Sequence, residues 1–267
     1  MEEGMMVKER SVVEAFYQSV NEEDRLTDRA GQVEYMTTMT YIHRYLKPGM
    51  RIAEIGAGTG RYSLALSREG YRVEAVELLE SNLRVFRSKL RAEDDIHILQ
   101  GDAMDLSCFG DKSMDMTLLL GPMYHLFGEA HKKKALAEAV RITRPGGMLF
   151  VAYCQNEATV LQYCFGKKTL WEDMQKGLLT EDFVWQANEN DAFSLVRPAD
   201  IRALSEDFPL ERFNLIATDG ASRYLSDMLE QMEENLYRKY LEYHLSICER
   251  EDLIGASNHV LDILRKR

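Results

Sequence analysis

The chain has 267 residues, 45% of them hydrophobic and 29% charged, with a formal net charge of −11 and a sequence pI near 5.1. That length buries one large α/β core, or one core with a smaller cap. The acidic balance argues against a partner recognised through its phosphates, so no nucleic acid is expected.

Met1 to Arg10 is charged where a signal peptide would be apolar, and no run of 18 apolar residues occurs anywhere. A cytoplasmic protein without a membrane segment is expected. Val12, Val13, Phe16 and Tyr17 recur at helical spacing, as do Tyr35, Met36, Met39, Ile42, Tyr45 and Leu46. Asp24 to Ala30 reads as a polar connector between them. Lys47-Pro48-Gly49 turns into a short apolar strand, Ile52 to Ile55. Gly56, Gly58 and Gly60 follow at alternate positions. A helical pattern from Tyr62 to Leu66 stops at Gly70, and a second strand, Tyr71 to Val76, carries Glu77 at its carboxyl end.

Ser81 is the expected cap of a helix through Leu83, Val85, Phe86 and Leu90. Ile96 to Leu99 is a third strand, followed by Gly101-Asp102-Ala103. Met114 to Leu120 is a fourth, apolar enough to be central, and ends in Gly121-Pro122-Met123-Tyr124-His125-Leu126. Residues 129–142 form an amphipathic helix whose His131 to Lys134 run reads as a solvated face. Arg144-Pro145-Gly146-Gly147 turns into a fifth strand, Met148 to Tyr153. Beyond Gln155, Phe183 to Trp185 and Phe193 to Val196 flank a turn at 188–191 and read as a hairpin. A helix from Pro198 to Ser205 and a strand from Glu211 to Ala217 follow. A helix from about Tyr224 to Glu249 comes next, with Leu225, Met228, Leu229, Met232, Leu236, Tyr240, Tyr243 and His244 on one side. Periodicity leaves His259 to Lys266 open between helix and strand. The four cysteines, at 108, 154, 164 and 248, share no metal-ligand spacing, and no metal is expected.

The strand–turn–helix–strand unit at 51–77 is the most informative stretch. Glycine takes positive φ and lets a ligand approach the backbone, and the helix after the turn directs free N–H groups at that ligand. A carboxylate closing the second strand accepts bonds from both hydroxyls of a ribose, each worth about 1.5–3 kcal/mol when charge-assisted. The dinucleotide fingerprint needs a third glycine where Arg61 stands; here it comes one residue early, at Gly60.

Glu54-Ile55-Gly56-Ala57-Gly58-Thr59-Gly60 resembles motif I of the class I S-adenosylmethionine-dependent methyltransferases, and Gly121-Pro122-Met123-Tyr124-His125-Leu126 resembles a loop of their small-molecule branch (methyltransferase domain 11/25-like). The resemblance covers roughly residues 45–155. It implies an α/β, Rossmann-like, doubly wound sheet of seven strands in the order 3-2-1-4-5-7-6, with the last strand antiparallel; His259 to Lys266 is assigned to that strand on this ground. It implies an N-terminal helical arm over 1–47, a cofactor-binding core over 48–154 and an inserted cap over 155–197. Residues 198–267 complete the core around a helical insertion at about 222–256. The implied cofactor is S-adenosyl-L-methionine, leaving as S-adenosyl-L-homocysteine. Its expected contacts are Glu54, Gly56, Ala57, Gly58, Gly60, Glu77, Leu78, Asp102, Ala103 and Gly121, with Tyr17 and Arg29 from the arm and Tyr35 beside them. His125 is the candidate base and Tyr124 its positioner. Phe165, Trp171 and Trp185 are candidate walls of an acceptor pocket.

The expected activity is in-line transfer of a methyl group to a small-molecule acceptor. Two alternatives stand beside it. A non-catalytic adenosylmethionine-binding module would bind the cofactor tightly and turn over no acceptor. An NAD-dependent oxidoreductase is opposed by Arg61, and absent NAD binding would dispose of it. The acceptor, the methylated atom and the oligomeric state, a homodimer included, are open in the sequence.

Overall fold

A computed structural model describes residues 11–17, 19, 22–187 and 191–267. Met1 to Arg10 and most of the turn at 188–191 lie outside the described residues. Seven strands form one sheet: β1 (Arg51–Ile55), β2 (Arg72–Glu77), β3 (Ile96–Gln100), β4 (Met114–Leu119), β5 (Thr143–Cys154), β6 (Leu210–Ala217) and β7 (His259–Lys266). Their order is β3-β2-β1-β4-β5-β7-β6. The first five run parallel, and β7 lies antiparallel to both β5 and β6.

Period-two alternation distributes the strands' side chains between two apolar layers. On one face Ile55, Leu119 and Val151 pack against Leu136 and Ala139 of helix Glu129–Ile142. On the other, Met116, Leu118 and Phe150 pack against Tyr41 and Ile42 of helix Arg29–Tyr45 and Leu66 of helix Arg61–Arg68. Each large side chain so buried stabilises the fold by about 1.5–3 kcal/mol. Helix Arg29–Tyr45 is therefore core as well as arm. It starts inside the expected connector, because the Asp28 side chain accepts the N–H of Gly31 at 2.7 Å and caps it there.

Several local expectations are corrected. Helix Glu80–Ser88 is preceded by Leu79, with no side-chain cap, so Ser81 lies inside it; the Glu77 carboxylate, which takes the Leu79 N–H at 2.9 Å, closes that turn. Lys132 does not belong to a solvated face. Its ammonium is buried between the Leu126 carbonyl and the Ser194 hydroxyl, both at 2.6 Å. Arg144 to Gly147 loops out between the Thr143–Met114 and Met148–Met116 pairs, inside one long β5. Trp185 pairs with Leu179 across a tight turn, and Val196 with Gln155, so the expected hairpin does not form. The expected long helix breaks at 231–233 into Ser226–Glu230 and Glu234–Ile247. That break turns Leu236 and Tyr243 outward while Leu229, Tyr237 and His244 are buried.

Candidate active site

A cavity of about 310 Å³ lies over the carboxyl ends of β1 to β4, where an open parallel sheet holds its ligands. The turn after β1 forms its floor. Gly56, Gly58 and Gly60 have φ of 76°, 55° and 84°, all left-handed. Two of these glycines are also demanded by packing. A Cβ on Gly56 would lie 2.5 Å from Cδ of Pro122, and one on Gly60 would fall inside the Phe86 ring. Glycine lets β1's turn touch both β4's loop and the helix after β2.

Glu54, Gly56, Ala57, Gly58, Glu77, Leu78, Asp102, Ala103 and Gly121 all line the cavity. Gly60 is not among the lining residues and supports the floor from Phe86. The Glu77 carboxylate is buried and accepts N–H bonds from Gly58 and Leu79, each at 2.9 Å, and from the Asn82 amide at 3.2 Å. Asn82, which sequence reasoning passed over, thus orients it. Asp102 accepts the Met104 N–H at 2.8 Å. Glu54 is 1% exposed and bonded by Ser63. Burial pushes its pKa up to about 8, with the nearby Glu77 charge adding to the rise and the Ser63 bonds opposing it.

The arm closes the other side. Val13, Tyr17, Arg25 and Leu26 line the cavity. The Tyr17 hydroxyl meets His125 Nε2 at 2.8 Å, and His125 Nδ1 meets the Ala192 carbonyl at 2.7 Å. A carbonyl only accepts, so Nδ1 carries the proton, and neutral Nε2 accepts from Tyr17. Burial pushes the His125 pKa down to about 4; the Ala192 bond opposes this and the Arg25 charge adds to it. Tyr124 hydrogen-bonds the Leu120 carbonyl at 3.1 Å and meets His125 ring edge to face at 4.7 Å. Phe193 completes the aromatic group, 5.1 Å from His125 and 5.8 Å from Tyr124. Ala192 and Phe193 carry no motif, and no sequence signal would have found them.

The structure does not bring every expected residue to the cavity. Arg29 turns to the C-terminal insertion, where its guanidinium bonds the Leu229 and Met232 carbonyls and lies 4.8 Å from the Tyr237 ring. It begins the helix capped by Asp28, and Arg25 faces the cavity in its stead. Tyr35 packs behind the wall on Tyr62, ring centroids 5.2 Å apart. Phe165 and Trp171 are exposed, Trp171 at 73%, and Trp185 packs with Val160, Cys164 and Leu179 inside the cap. None of the three reaches the cavity, because the cap folds on its own small apolar cluster.

Beneath Arg25 lies a buried charge cluster. Glu34 pairs with Arg25 at 2.8 Å, His259 at 3.4 Å and Arg223 at 3.5 Å, and His259 pairs with Asp219 at 2.8 Å. Burial alone would raise the Glu34 pKa, but the three cations hold it down to about 2. Burial opposes charging of His259, yet Glu34 and Asp219 keep its pKa well above the usual imidazole range. Glu34, Asp219 and His259 are close enough to share an ion, but guanidinium groups and a His–Asp bond already engage their ligand atoms.

The strand order, with its antiparallel β7, coincides with a match of residues 53–151 to the family model described as methyltransferase domain. Residues 53–151 are thus similar to the methyltransferase domain, and the chain resembles the class I superfamily of S-adenosylmethionine-dependent methyltransferases. The chain is 34% identical over 103 residues to a demethylmenaquinone methyltransferase of Clavibacter sepedonicus, covering 39% of this chain and 40% of that one. It is 32% identical over 127 residues to a cypemycin N-terminal methyltransferase of a Streptomyces species, covering 47% and 49%. The matched part thus spans less than half the length of these curated relatives. Among solved structures, the fold resembles geranyl diphosphate C-methyltransferase from Streptomyces coelicolor A3(2), with a TM-score of 0.56 and 14% identity over 87% of this chain and 80% of that one.

S-adenosylmethionine is the superfamily's cofactor, and the donor set suits it. The carboxylates of Glu54, Glu77 and Asp102 stand at the ends of β1, β2 and the β3 loop. Glu77 and Asp102 suit ribose hydroxyls and an exocyclic amine, while Glu54, which burial keeps protonated to about pH 8 in the ligand-free chain, would ionise beside a cationic amino-acid end. Among the described residues, no helix is long and apolar enough to cross a membrane.

Proposed function

We propose that this chain transfers a methyl group from S-adenosylmethionine to a small-molecule acceptor inside the chamber closed by the arm. One observation carries the reading. Carboxylates and bare backbone line the β1–β3 end of a single cavity, while a neutral imidazole and a tyrosine face the β4 end.

When bound, the cofactor supplies an electrophilic methyl group on a sulfonium. The chain's residues hold and align. Glu77 receives the ribose hydroxyls, Asp102 the adenine amine, and the turn at 56–60 with Glu54 the amino-acid end. His125, neutral near pH 7 and kept in one tautomer by Ala192, receives a proton at Nε2 from an acceptor that arrives protonated. Tyr17 occupies that nitrogen until the acceptor displaces its hydroxyl, which ties closure of the arm to the readiness of the base. Alignment and exclusion of water supply most of the rate enhancement.

The test is label transfer from methyl-labelled cofactor to a panel of small acceptors, beside calorimetric binding of S-adenosylhomocysteine. His125→Ala should slow transfer by about 10²–10⁴-fold while leaving cofactor affinity nearly unchanged. Loss of cofactor binding in that variant would reassign His125 as a cofactor contact. Tight cofactor binding with no acceptor turned over would favour the non-catalytic module.

A further inference from the structure

The chain leaving the cap returns to the core beside the β4 loop, and the two are joined at successive residues. The Ser194 N–H donates to the Tyr124 carbonyl at 2.7 Å, and the Ala192 carbonyl takes the Nδ1 proton of His125 at 2.7 Å. Between them Phe193 stacks on Tyr124 and meets Phe16 of the arm edge to face, with ring centroids 5.8 and 4.9 Å apart. One charged group closes this junction. Lys132, on helix Glu129–Ile142, is 5% exposed, and its ammonium donates to the Leu126 carbonyl and the Ser194 hydroxyl, both at 2.6 Å. An ammonium carries donors only, so it holds two acceptors from distant segments at once, through bonds about twice as strong as neutral ones. Burying that charge is costly, and an apolar side chain would serve packing alone.

What Lys132 holds lies on either side of the candidate base. Leu126 follows His125 in the chain, and Ser194 stands two residues beyond Ala192. Around the His125 ring, Tyr17 acts on Nε2, Tyr124 packs against it edge to face, and Arg25 acts through its charge. Among the described residues, the Ala192 carbonyl is the partner of Nδ1. Moving that carbonyl by about 1 Å takes it out of hydrogen-bond range. The proton is then free to settle on Nε2, and a ring protonated there has no lone pair for an acceptor's proton. We propose that Lys132 is a positioning residue: by tying the Leu126 carbonyl to Ser194, its ammonium sets the spacing between the β4 loop and the cap's return and keeps the Ala192 carbonyl on His125 Nδ1. This rests on the reading of His125 as the base in methyl transfer and adds the residue that prepares it. Lys266 offers an internal comparison. Its buried ammonium bonds the Val140 and Thr143 carbonyls, at 2.6 and 2.8 Å, near the other end of the same helix and outside the cavity lining.

The test is nitrogen-15 NMR of the full chain labelled in its six histidines, with and without S-adenosylhomocysteine, which reads the tautomer of each ring; His125→Gln assigns the signal. The unmodified chain is expected to show His125 as a single neutral form with its proton on Nδ1. Lys132→Met and Ser194→Ala should each convert much of it to the Nε2–H form or to imidazolium, while calorimetry finds the S-adenosylhomocysteine affinity nearly unchanged. Lys266→Met, which removes another buried ammonium, should lower Tm and leave the His125 signals in place. Should Lys132→Met fail to fold, Ser194→Ala carries the test, since it removes one of the two acceptors and keeps the charge. An unmodified chain without the Nδ1–H form overturns the assignment. So does a His125 ring unmoved in every Lys132 and Ser194 variant that folds, or one moved as far by Lys266→Met. In those cases cofactor binding leaves methyl transfer standing. Failure of S-adenosylhomocysteine to bind overturns the methyl-transfer reading instead, and the ligand-free spectra still decide the role of Lys132.

Discussion

Replacing Glu77 by Gln keeps the side chain's size and removes its charge and one acceptor atom. In the folded chain one carboxylate oxygen takes the N–H of Gly58 at 2.9 Å; the other takes Leu79 at 2.9 Å and the Asn82 amide at 3.2 Å. An amide has one oxygen and one NH₂, so whichever way it turns, at least one of these donors faces another donor. Losing one charge-assisted bond costs about 1.5–3 kcal/mol, and the ligand-free protein should lose roughly that much stability. If the carboxylate also receives the ribose hydroxyls, cofactor binding loses about 1.5–3 kcal/mol more, roughly a 10- to 150-fold rise in Kd. Calorimetric titration with S-adenosylhomocysteine, beside thermal denaturation of the ligand-free variant, separates the two effects. A lowered Tm with unchanged Kd would refute the ribose assignment and leave Glu77 as the tie between the β1 turn and the helix after β2.

Three other outcomes are expected. Gly60→Ala should destabilise the fold by about 2–5 kcal/mol, from a left-handed φ and a clash with Phe86; an unchanged denaturation midpoint would contradict this. Lys132→Met should cost roughly 1–3 kcal/mol by orphaning the Leu126 carbonyl and Ser194 hydroxyl, read by urea denaturation, where no change in midpoint would show the ammonium to be dispensable. Glu54, raised from 4.5 to about 8 by burial, binds its proton more tightly when folded. Its contribution to ligand-free stability is therefore full below about pH 4.5, declines as pH rises, and is gone above about 8. Glu54→Gln should flatten the pH dependence of Tm across that window, and an unaltered slope would show that Glu54 does not carry it.

The sequence by itself determined the parallel half of this protein. β1 to β4 are short apolar runs punctuated by glycine and polar turns, and the groups that line the cavity from them follow each strand within a few residues. Local spacing is enough there, because strand, turn and helix N-terminus are contiguous. The position of β7 came only with the family resemblance, since eight residues with Val260, Leu261, Ile263 and Leu264 apolar have no periodicity that separates strand from helix.

Tertiary structure alone decided the rest. Tyr17 and His125 stand 108 residues apart and meet only because the arm folds over β4's loop. Arg25 rather than Arg29 faces the cavity because Asp28 starts a helix between them. Lys132 looks like one of a run of surface lysines until Ser194 and the Leu126 carbonyl enclose it. Trp185 packed on Val160, Cys164 and Leu179, and Phe165 and Trp171 turned to solvent, instead of reaching the cavity. Local propensity and periodicity report what neighbours in the chain will do. Side chains brought together from distant elements answer to packing, burial and charge, which the order of residues does not display.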